Sequence, residues 1–299
     1  MEIQTDRIIR ATILDSQARI FLAITTKTVQ EARTKHGTSP VATAALGRVL
    51  TATALISSTM KNDEDVTIRV MGDGPLGAIV ATGDTTINVR GYVGNPLLDL
   101  PLNANGKLDV GGAVGKNGFL HVTKDLKMNE PYTSSIPLDT GEIGDDFMHY
   151  FYESDQLPSA LALGVLVDTN CDVKVSGGYL LQTLPDAKED VAVYLEDRIQ
   201  TNPSFTSMLS SISDPRELLI EITGDSNVKI LEEKPVAFRC KCNRNRILDA
   251  FALLNPTEVE QMLDANREVE AVCHFCNEKY KFTENELIDL LKHAKETIV

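Results

Sequence analysis

The first part of the chain alternates short apolar stretches with polar breaks. One alternating run extends from Ile8 to Leu14 and a second from Arg19 to Ile24, with the polar residues 15–17 between them. Two alternating runs joined by a short polar break are typical of a β-hairpin. We therefore predict that the chain begins with two paired strands, followed by a polar helix over residues 29–35.

A long apolar segment follows this region. Ser39 offers an N-cap and Pro40 stands at the first helical position, an arrangement that favours the start of a helix. The segment from Val41 to Met60 has Arg48 as its only charged residue. A helix with so few charges is usually buried on most sides, so we predict that it is the central helix of the first domain.

The residues after this helix alternate again, without a regular strand–helix–strand repeat. Phe147, Tyr150 and Phe151 recur at helical spacing, which predicts a helix over 145–154 with an aromatic stripe in the core. Strands mixed with helices in this irregular order indicate an α+β domain. The predicted strands are 66–70, 78–81, 86–90, 119–123, 132–136, 160–167 and 173–182.

Two glycine-rich stretches need a separate interpretation. Gly72 to Gly77 matches the dinucleotide fingerprint G-x-G-x-x-G, but Pro75 and the β-branched run after it predict a turn between strands. Gly111 to Lys116 lacks the P-loop spacing, and Asn117 stands where a magnesium-binding hydroxyl would be required. We therefore expect no nucleotide site at either stretch, and we predict that the second is a flexible loop.

The pattern changes after residue 183. Residues 186–200 form an amphipathic stretch, and shorter apolar patterns follow at Ser204–Ile212 and after Asp214-Pro215. Such short helices cannot bury their apolar stripes alone. We expect this connector to lie on a neighbouring domain, either permanently docked or ordered only under some conditions.

The composition and charge of the chain disfavour binding to nucleic acid or to a membrane. The chain has 299 residues, a hydrophobic share of 42% and a formal net charge of −14, so binding to nucleic acid through phosphate contacts is disfavoured. The acidic start is unlike a signal peptide, and no uninterrupted apolar stretch reaches the ~18–20 residues that span a bilayer. We expect a cytoplasmic protein that binds neither nucleic acid nor membrane.

Four of the five cysteines form two close pairs. Cys240 and Cys242 are separated by one residue, and Cys273 and Cys276 by two. Two such pairs can supply a complete tetrahedral set of zinc ligands, so we predict one Zn²⁺ per chain. A purely structural zinc knuckle is an open alternative, and His274 is expected to be a bystander.

Two other residues with reactive side chains have simpler interpretations. His121 alternates with apolar neighbours and has no acid or nucleophile near it in sequence, so a structural role is expected. Cys171 stands apart from the paired cysteines and is expected to pack as a small hydrophobe.

The cysteine pairs belong to a wider set of motifs. With Tyr280-x-Phe282 after the second pair, they resemble those of the bacterial 33 kDa chaperonin family of redox-regulated heat-shock chaperones. The stretches 72–77, 89–96 and 177–182 are also similar to motifs of that family. The resemblance covers most of the chain. Lys241 and Asn243 differ from the acidic residue and the serine expected beside the first pair.

The resemblance implies a chaperone rather than an enzyme. Its expected activity is an ATP-independent holdase, inactive while reduced and zinc-bound, and activated by disulfides Cys240–Cys242 and Cys273–Cys276 as zinc is released. The expected partners are unfolded or partially folded client proteins, with a homodimer as the oxidised active form. The expected domains are an N-terminal α+β chaperone domain (1–183), a helical redox-sensitive linker (184–235) and a C-terminal zinc-binding switch domain (236–299).

Two rival functions give different expectations. A static zinc-ribbon adaptor, or a nucleic-acid-binding protein, should show a basic face and no response to oxidation; the net charge disfavours nucleic acid. A zinc hydrolase requires an open metal position and a general base, whereas four cysteines close the coordination shell.

Overall fold

The computed structural model describes residues 5–155, 159–254, 261 and 268–288. Contacts divide the chain into two compact units, residues 1–239 and 240–299. The first contains two β-sheets together with helices, and the described part of the second contains a two-stranded hairpin and the helix Arg244–Ala252. The predicted α+β class is therefore confirmed.

The described strands and helices follow the predicted pattern closely. The strands are β1 (Arg7–Ile13), β2 (Ala18–Ile24), β3 (Asp65–Met71), β4 (Ile79–Asp84), β5 (Asn88–Val93), β6 (Phe119–Asp125), β7 (Tyr132–Pro137), β8 (Ser159–Val167), β9 (Val173–Thr183), β10 (Lys229–Pro235), β11 (Ala237–Phe238), β12 (Glu268–Val272) and β13 (Lys279–Thr283). The helices are α1 (Thr26–His36), α2 (Pro40–Thr59), α3 (Val110–Val114), α4 (Gly144–Tyr150), α5 (Glu189–Thr201), α6 (Phe205–Ser211), α7 (Pro215–Thr223) and α8 (Arg244–Ala252).

The first unit contains a five-stranded and a six-stranded sheet. The five-stranded sheet has the order β10-β1-β2-β9-β8, and all its neighbours are antiparallel. The six-stranded sheet has the order β11-β5-β4-β3-β6-β7, in which only the short β11 pairs in parallel, with β5. The predicted hairpin β1–β2 is confirmed.

Helix α2 contacts strands of both sheets, among them β4, β5, β8 and β9. It begins as predicted: the Ser39 hydroxyl accepts a hydrogen bond from the Ala42 N–H, and Pro40 is the first helical residue. Among the described residues α2 is long and apolar enough to cross a membrane, but 89% of that stretch is buried inside the fold. It is therefore the core helix that the sequence predicts.

The two glycine-rich stretches contact each other. Residues 72–77 form the predicted turn between β3 and β4, and Gly74 N–H donates to the Val114 carbonyl at 2.8 Å. A side chain at Gly72 or Gly74 would collide with the backbone of residues 113–115. The prediction of a flexible loop at Gly111–Lys116 is wrong, because most of it is α3, whose N-cap Asp109 accepts from the Gly112 N–H.

The aromatic stripe is also confirmed as core. Phe147, Tyr150 and Phe151 are each at most 2% exposed. Helix α4 ends at Tyr150, and Phe151–Asp155 continues it as one π-helical turn. His121 lies on β6, where its ring stacks on that of Phe119 with centroids 5.9 Å apart.

The connector packs on the five-stranded sheet. Helices α5, α6 and α7 contribute Leu195, Phe205 and Leu219 to a buried cluster that includes Leu22 and Leu181 of the sheet. This places residues 184–235 inside the first unit, where the segment ends in the strand β10 rather than in a helix. The second unit starts at residue 240, four residues after the predicted domain start at 236.

Candidate metal centre

The first cysteine pair lies in the short irregular segment between β11 and α8. The Asn243 side chain caps the helix by accepting from the Arg246 N–H at 3.0 Å. The Arg246 guanidinium donates back to the Lys241 carbonyl at 3.0 Å. The second of these bonds ties the backbone of Lys241, the residue between Cys240 and Cys242, to the start of α8.

The second pair lies in the turn of a hairpin formed by β12 and β13. Val269 pairs with Phe282, and the Cys273 N–H donates to the Glu278 carbonyl at 2.9 Å. The Asn277 N–H donates to the Cys273 carbonyl at 2.7 Å, and Asn277 has a positive φ of 57°. The tight turn places both thiols on one side of the hairpin end.

The four thiols meet in one cluster. All four sulfurs lie within 4.8 Å of one another, with 3.8 Å between Cys240 and Cys273 and 3.3 Å between Cys242 and Cys276. Tetrahedral bonds of about 2.3 Å would place sulfurs about 3.8 Å apart. The cluster therefore has the size and the donor atoms of a site for a thiophilic tetrahedral ion.

The cysteines are all free thiols in this structure. Cys273 and Cys276 are buried, whereas Cys240 and Cys242 are half-buried. Cys171 lies in the first unit, in the turn between β8 and β9, where its N–H donates to the Asp168 carbonyl. His274 does not belong to the group of four ligand atoms.

The thiols differ in how readily they ionise. Burial raises the pKa of Cys240 to about 11, and burial also raises the pKa of Cys276. For Cys242 burial acts in the same direction, but hydrogen bonds from Tyr280 and the neighbouring thiols lower its pKa. A bound divalent cation favours the thiolate form of every ligand, so it would offset the cost of burying these sulfurs.

Tyr280 is a further candidate for a functional residue, to which the sequence pattern alone assigned no role. Its hydroxyl donates to the Cys242 sulfur at 3.3 Å, and this hydrogen bond raises the pKa of Tyr280. Tyr280 alternates with the buried Phe282 along β13 and follows Cys276 by four residues. That alternation places both rings on one face of the hairpin and is the signal that could have identified Tyr280.

Basic residues near the cluster are engaged with carboxylates. Arg244 lies over the Phe282 ring, 4.5 Å from its centroid, and pairs with Glu286 at 2.6 Å. The Arg244 hydrogen bond is the main cause that lowers the pKa of Glu286 to about 2. Lys279 pairs with Glu270 at 3.0 Å. The positive charges of Arg244 and Lys279 are thus shared with acidic side chains.

The sequence after residue 235 also predicts a strand before each cysteine pair, a helix over 256–265 and a closing helix over 285–294. The two strands are confirmed as β11 and β12. The helix over 256–265 falls almost wholly outside the described residues, and of the closing helix the structure describes the start, within a helical stretch at 284–288.

Comparisons with known proteins show the family of this chain and agree with its fold. The family model described as Hsp33 protein matches residues 6–283. The 33 kDa chaperonins of Desulforamulus reducens and of Geobacillus sp. strain WCH70 are 45% and 43% identical over 291 residues, covering 97% of this chain and 99% of each relative.

A solved structure shows the same architecture. The crystal structure of the 33 kDa chaperonin, a heat shock protein 33 homologue, from Thermotoga maritima superposes with a TM-score of 0.91 at 35% identity, covering 98% of this chain and all of the other. The resemblance carried by the cysteine pairs and the glycine motifs therefore extends over nearly the whole sequence and the whole fold. The chain belongs to the Hsp33 family of chaperones.

Proposed function

We propose that this chaperone is an ATP-independent holdase controlled by the redox state of a zinc centre at Cys240, Cys242, Cys273 and Cys276. In the reduced state the four thiolates would hold one Zn²⁺ and the holdase is inactive. The observation that supports this most directly is the gathering of four thiols within 4.8 Å. An all-sulfur tetrahedral set is typical of zinc in a closed site.

The second unit is built to depend on that ion. Its described core consists of Phe251, Phe282 and Leu287. A core in so small a unit rarely supplies more than ~3–5 kcal/mol, whereas structural zinc contributes about 10–16 kcal/mol in comparable sites. Removing the thiolates from coordination would therefore unfold the described part of the second unit.

Oxidation is the chemical step that removes the ligands. Two thiolates, one hydrogen peroxide and two protons give one disulfide and two waters, with two electrons passing from sulfur to the peroxide oxygens. We assign the disulfides to Cys240–Cys242 and Cys273–Cys276, following the family resemblance. The sulfurs of each pair lie within 4.8 Å, a distance that small backbone shifts can close to a bond.

Unfolding of the second unit is proposed to spread along the chain into the connector. The last bond of the first unit before Cys240 is that from the Arg239 N–H to the Val89 carbonyl, beside the two-residue strand β11. Strand β10 and the helices α5–α7 precede it directly. If Cys240 no longer binds the metal, the two-residue pairing of β11 with β5 is what still holds the end of the first unit.

Release of the connector would expose an apolar sheet face. Leu22, Tyr179 and Leu181 are at most 3% exposed beneath the connector helices. A contiguous apolar surface of this kind binds segments of unfolded proteins. We propose that client proteins bind there, that the oxidised chaperone is a homodimer, and that it acts in the cytoplasm.

The test measures zinc release and suppression of client aggregation on the same sample. Reduced protein, peroxide at low temperature, and peroxide with mild heat are compared, with Cys171→Ser as a control that leaves the four-thiol cluster intact. We expect holdase activity and a dimer by light scattering only after zinc has been released. Retention of zinc under peroxide and heat, or release without gain of activity, would reject the redox switch and favour a static zinc adaptor.

A further inference from the structure

We propose that Tyr280 is a positioning residue of the metal centre, whose hydroxyl holds the Cys242 thiolate in place and slows its oxidation. This inference rests on the proposed function, because it concerns how fast the switch responds. It goes beyond it by naming a residue outside the four ligands that sets the response.

The hydrogen bond from Tyr280 links the hairpin that carries the second cysteine pair to the first cysteine pair. Tyr280 lies on β13, the strand that follows Cys276. Its hydroxyl donates to Cys242, which lies 38 residues earlier in the chain and belongs to the other pair. The 3.3 Å O···S distance is well within reach of a hydrogen bond to sulfur. Tyr280 thus holds the sulfur of the opposite pair without itself being a ligand.

The ring is fixed independently of that bond. Tyr280 packs against the cluster of Phe251, Phe282 and Leu287, and its strand partner across the hairpin is Ala271. A side chain locked by packing loses little further freedom when its hydroxyl donates. The O–H is therefore preorganised to orient the Cys242 sulfur.

A hydrogen bond to a thiolate changes its chemistry. In the attack on peroxide, a sulfur lone pair forms the S–O bond as the O–O bond breaks, and the departing hydroxide takes up a proton to become water. The thiolate of Cys240 then displaces hydroxide from the Cys242 sulfur, which closes the disulfide, and this hydroxide takes up the second proton to become the second water. The O–H of Tyr280 withdraws electron density from the attacking lone pair, so it slows the first step.

The expected size follows from other metal sites. Removing an outer-shell partner of a ligand typically costs about 10–100-fold in metal affinity. We therefore expect Tyr280→Phe, which keeps the packed ring and deletes only the hydroxyl, to bind Co²⁺ and Zn²⁺ at least ~10-fold more weakly. Peroxide should release zinc from this variant faster than from the wild type.

The decisive readout is the spectrum of the full-length protein loaded with Co²⁺. Thiolate-to-cobalt charge transfer reports the electron density on sulfur, so the band should move to lower energy in Tyr280→Phe. Two controls isolate the hydroxyl. Tyr132→Phe deletes a hydroxyl from the exposed start of β7, and Val269→Ala loosens the packing opposite Phe282 without touching the bond. Neither control should shift the band.

Each outcome decides between the two proposals. If Tyr280→Phe bound Co²⁺ as tightly as the wild type and its band did not shift, the role of Tyr280 would be overturned, but the proposal of a metal centre would not. If Tyr280→Phe no longer bound cobalt while Val269→Ala bound it normally, the result would support the role of the Tyr280 hydroxyl, because only the variant without the hydroxyl would have lost metal affinity. A band shift in Val269→Ala equal to that in Tyr280→Phe would assign the effect to packing and overturn the inference. Failure of the wild type to bind Co²⁺ would instead reject the proposed function.

Discussion

The two units of this chain differ in what stabilises them. The first buries a continuous set of aliphatic and aromatic side chains between its five-stranded sheet and the connector helices. The second has Phe251, Phe282 and Leu287 as the buried cluster of its described part, beside four thiols. Apolar packing does not respond to oxidants, whereas thiolate ligands do. On the proposed function, the fold of the second unit would therefore depend on redox conditions, whereas the packed sheets of the first unit would not.

The largest expected effect comes from breaking the metal site. Cys273→Ser removes one of four ligands and should forfeit most of the ~10–16 kcal/mol that such an ion contributes. We expect zinc content to fall and amide exchange to become fast in β12 and β13. Exchange in β2 and β9 should stay slow, because their stability comes from packing. Hydrogen exchange by mass spectrometry measures both regions at once.

The matched control for this change is Cys171→Ser, which alters a cysteine of the first unit. It should keep its zinc and the slow exchange of both units. Full zinc content in Cys273→Ser would show that Cys273 is not a ligand. Faster exchange in β2 and β9 would show that the two units do not differ as described.

A smaller effect is expected from loosening the connector. Leu219 on α7 is fully buried in the cluster beneath the helices, and its truncation to alanine should lower the free energy of unfolding by about 2–5 kcal/mol. We expect faster amide exchange in α5–α7 and holdase activity in the reduced, zinc-loaded protein. Urea denaturation and an aggregation assay without peroxide provide the measurements.

Leu55→Ala is the comparison for that variant. Leu55 is equally buried but lies on α2, away from the connector, so a similar loss of stability should leave the reduced protein inactive. If both variants gained the same activity, general destabilisation would explain it. If neither did, the sheet face beneath the connector would not be the client surface.

The smallest expected effect is a pH dependence confined to the first unit. Asp6 accepts hydrogen bonds from the N–H groups of Lys27 and Thr28 at 3.1 and 2.6 Å, at the start of α1. Burial raises the pKa of its carboxyl above 3.8 despite those bonds. The folded state therefore favours the protonated form. The stability that this provides is complete below pH ~3.8 and is lost as pH rises through the folded-state pKa.

Asp6→Asn should remove this slope. Urea denaturation followed by circular dichroism measures the unfolding free energy of both proteins from pH 3.5 to 6.5. As pH rises, the unfolding free energy of the wild type should fall relative to that of the variant. A difference that moved the other way would mean that the hydrogen bonds outweigh burial. Zinc content of the two proteins should be the same at neutral pH, because Asp6 belongs to the first unit.

Local patterns predicted much of this structure. The alternation before and after residues 15–17, the Ser39-Pro40 start of α2 and the spacing of the aromatic stripe each depend on neighbours within a few residues. The same holds for the two cysteine pairs, whose close spacing and soft ligands indicate a metal before any fold is known. Such features can be identified from one sequence because their physical cause is local.

Features that depend on distant partners were missed. The short helix α3 forms where its glycines meet the turn at 72–77, and nothing in residues 111–116 shows that contact. The pairing of β10 with β1 and of β11 with β5 joins segments about 150 to 220 residues apart. The bond from Tyr280 to Cys242 depends on the assembled hairpin. In each case the cause is a tertiary contact rather than a pattern.

The connector helices α5–α7 are attached at both ends to the same sheet, through β9 and β10, which lie on either side of the β1–β2 hairpin. The connector leaves from β9, which pairs with β2, and returns as β10, which pairs with β1. If α5–α7 melt while these strands stay paired, the released segment is a closed loop rather than a loose tail. The apolar sheet face would then be exposed while the segment that covered it stays attached at both ends. The same segment could fold back over that face after a client has left.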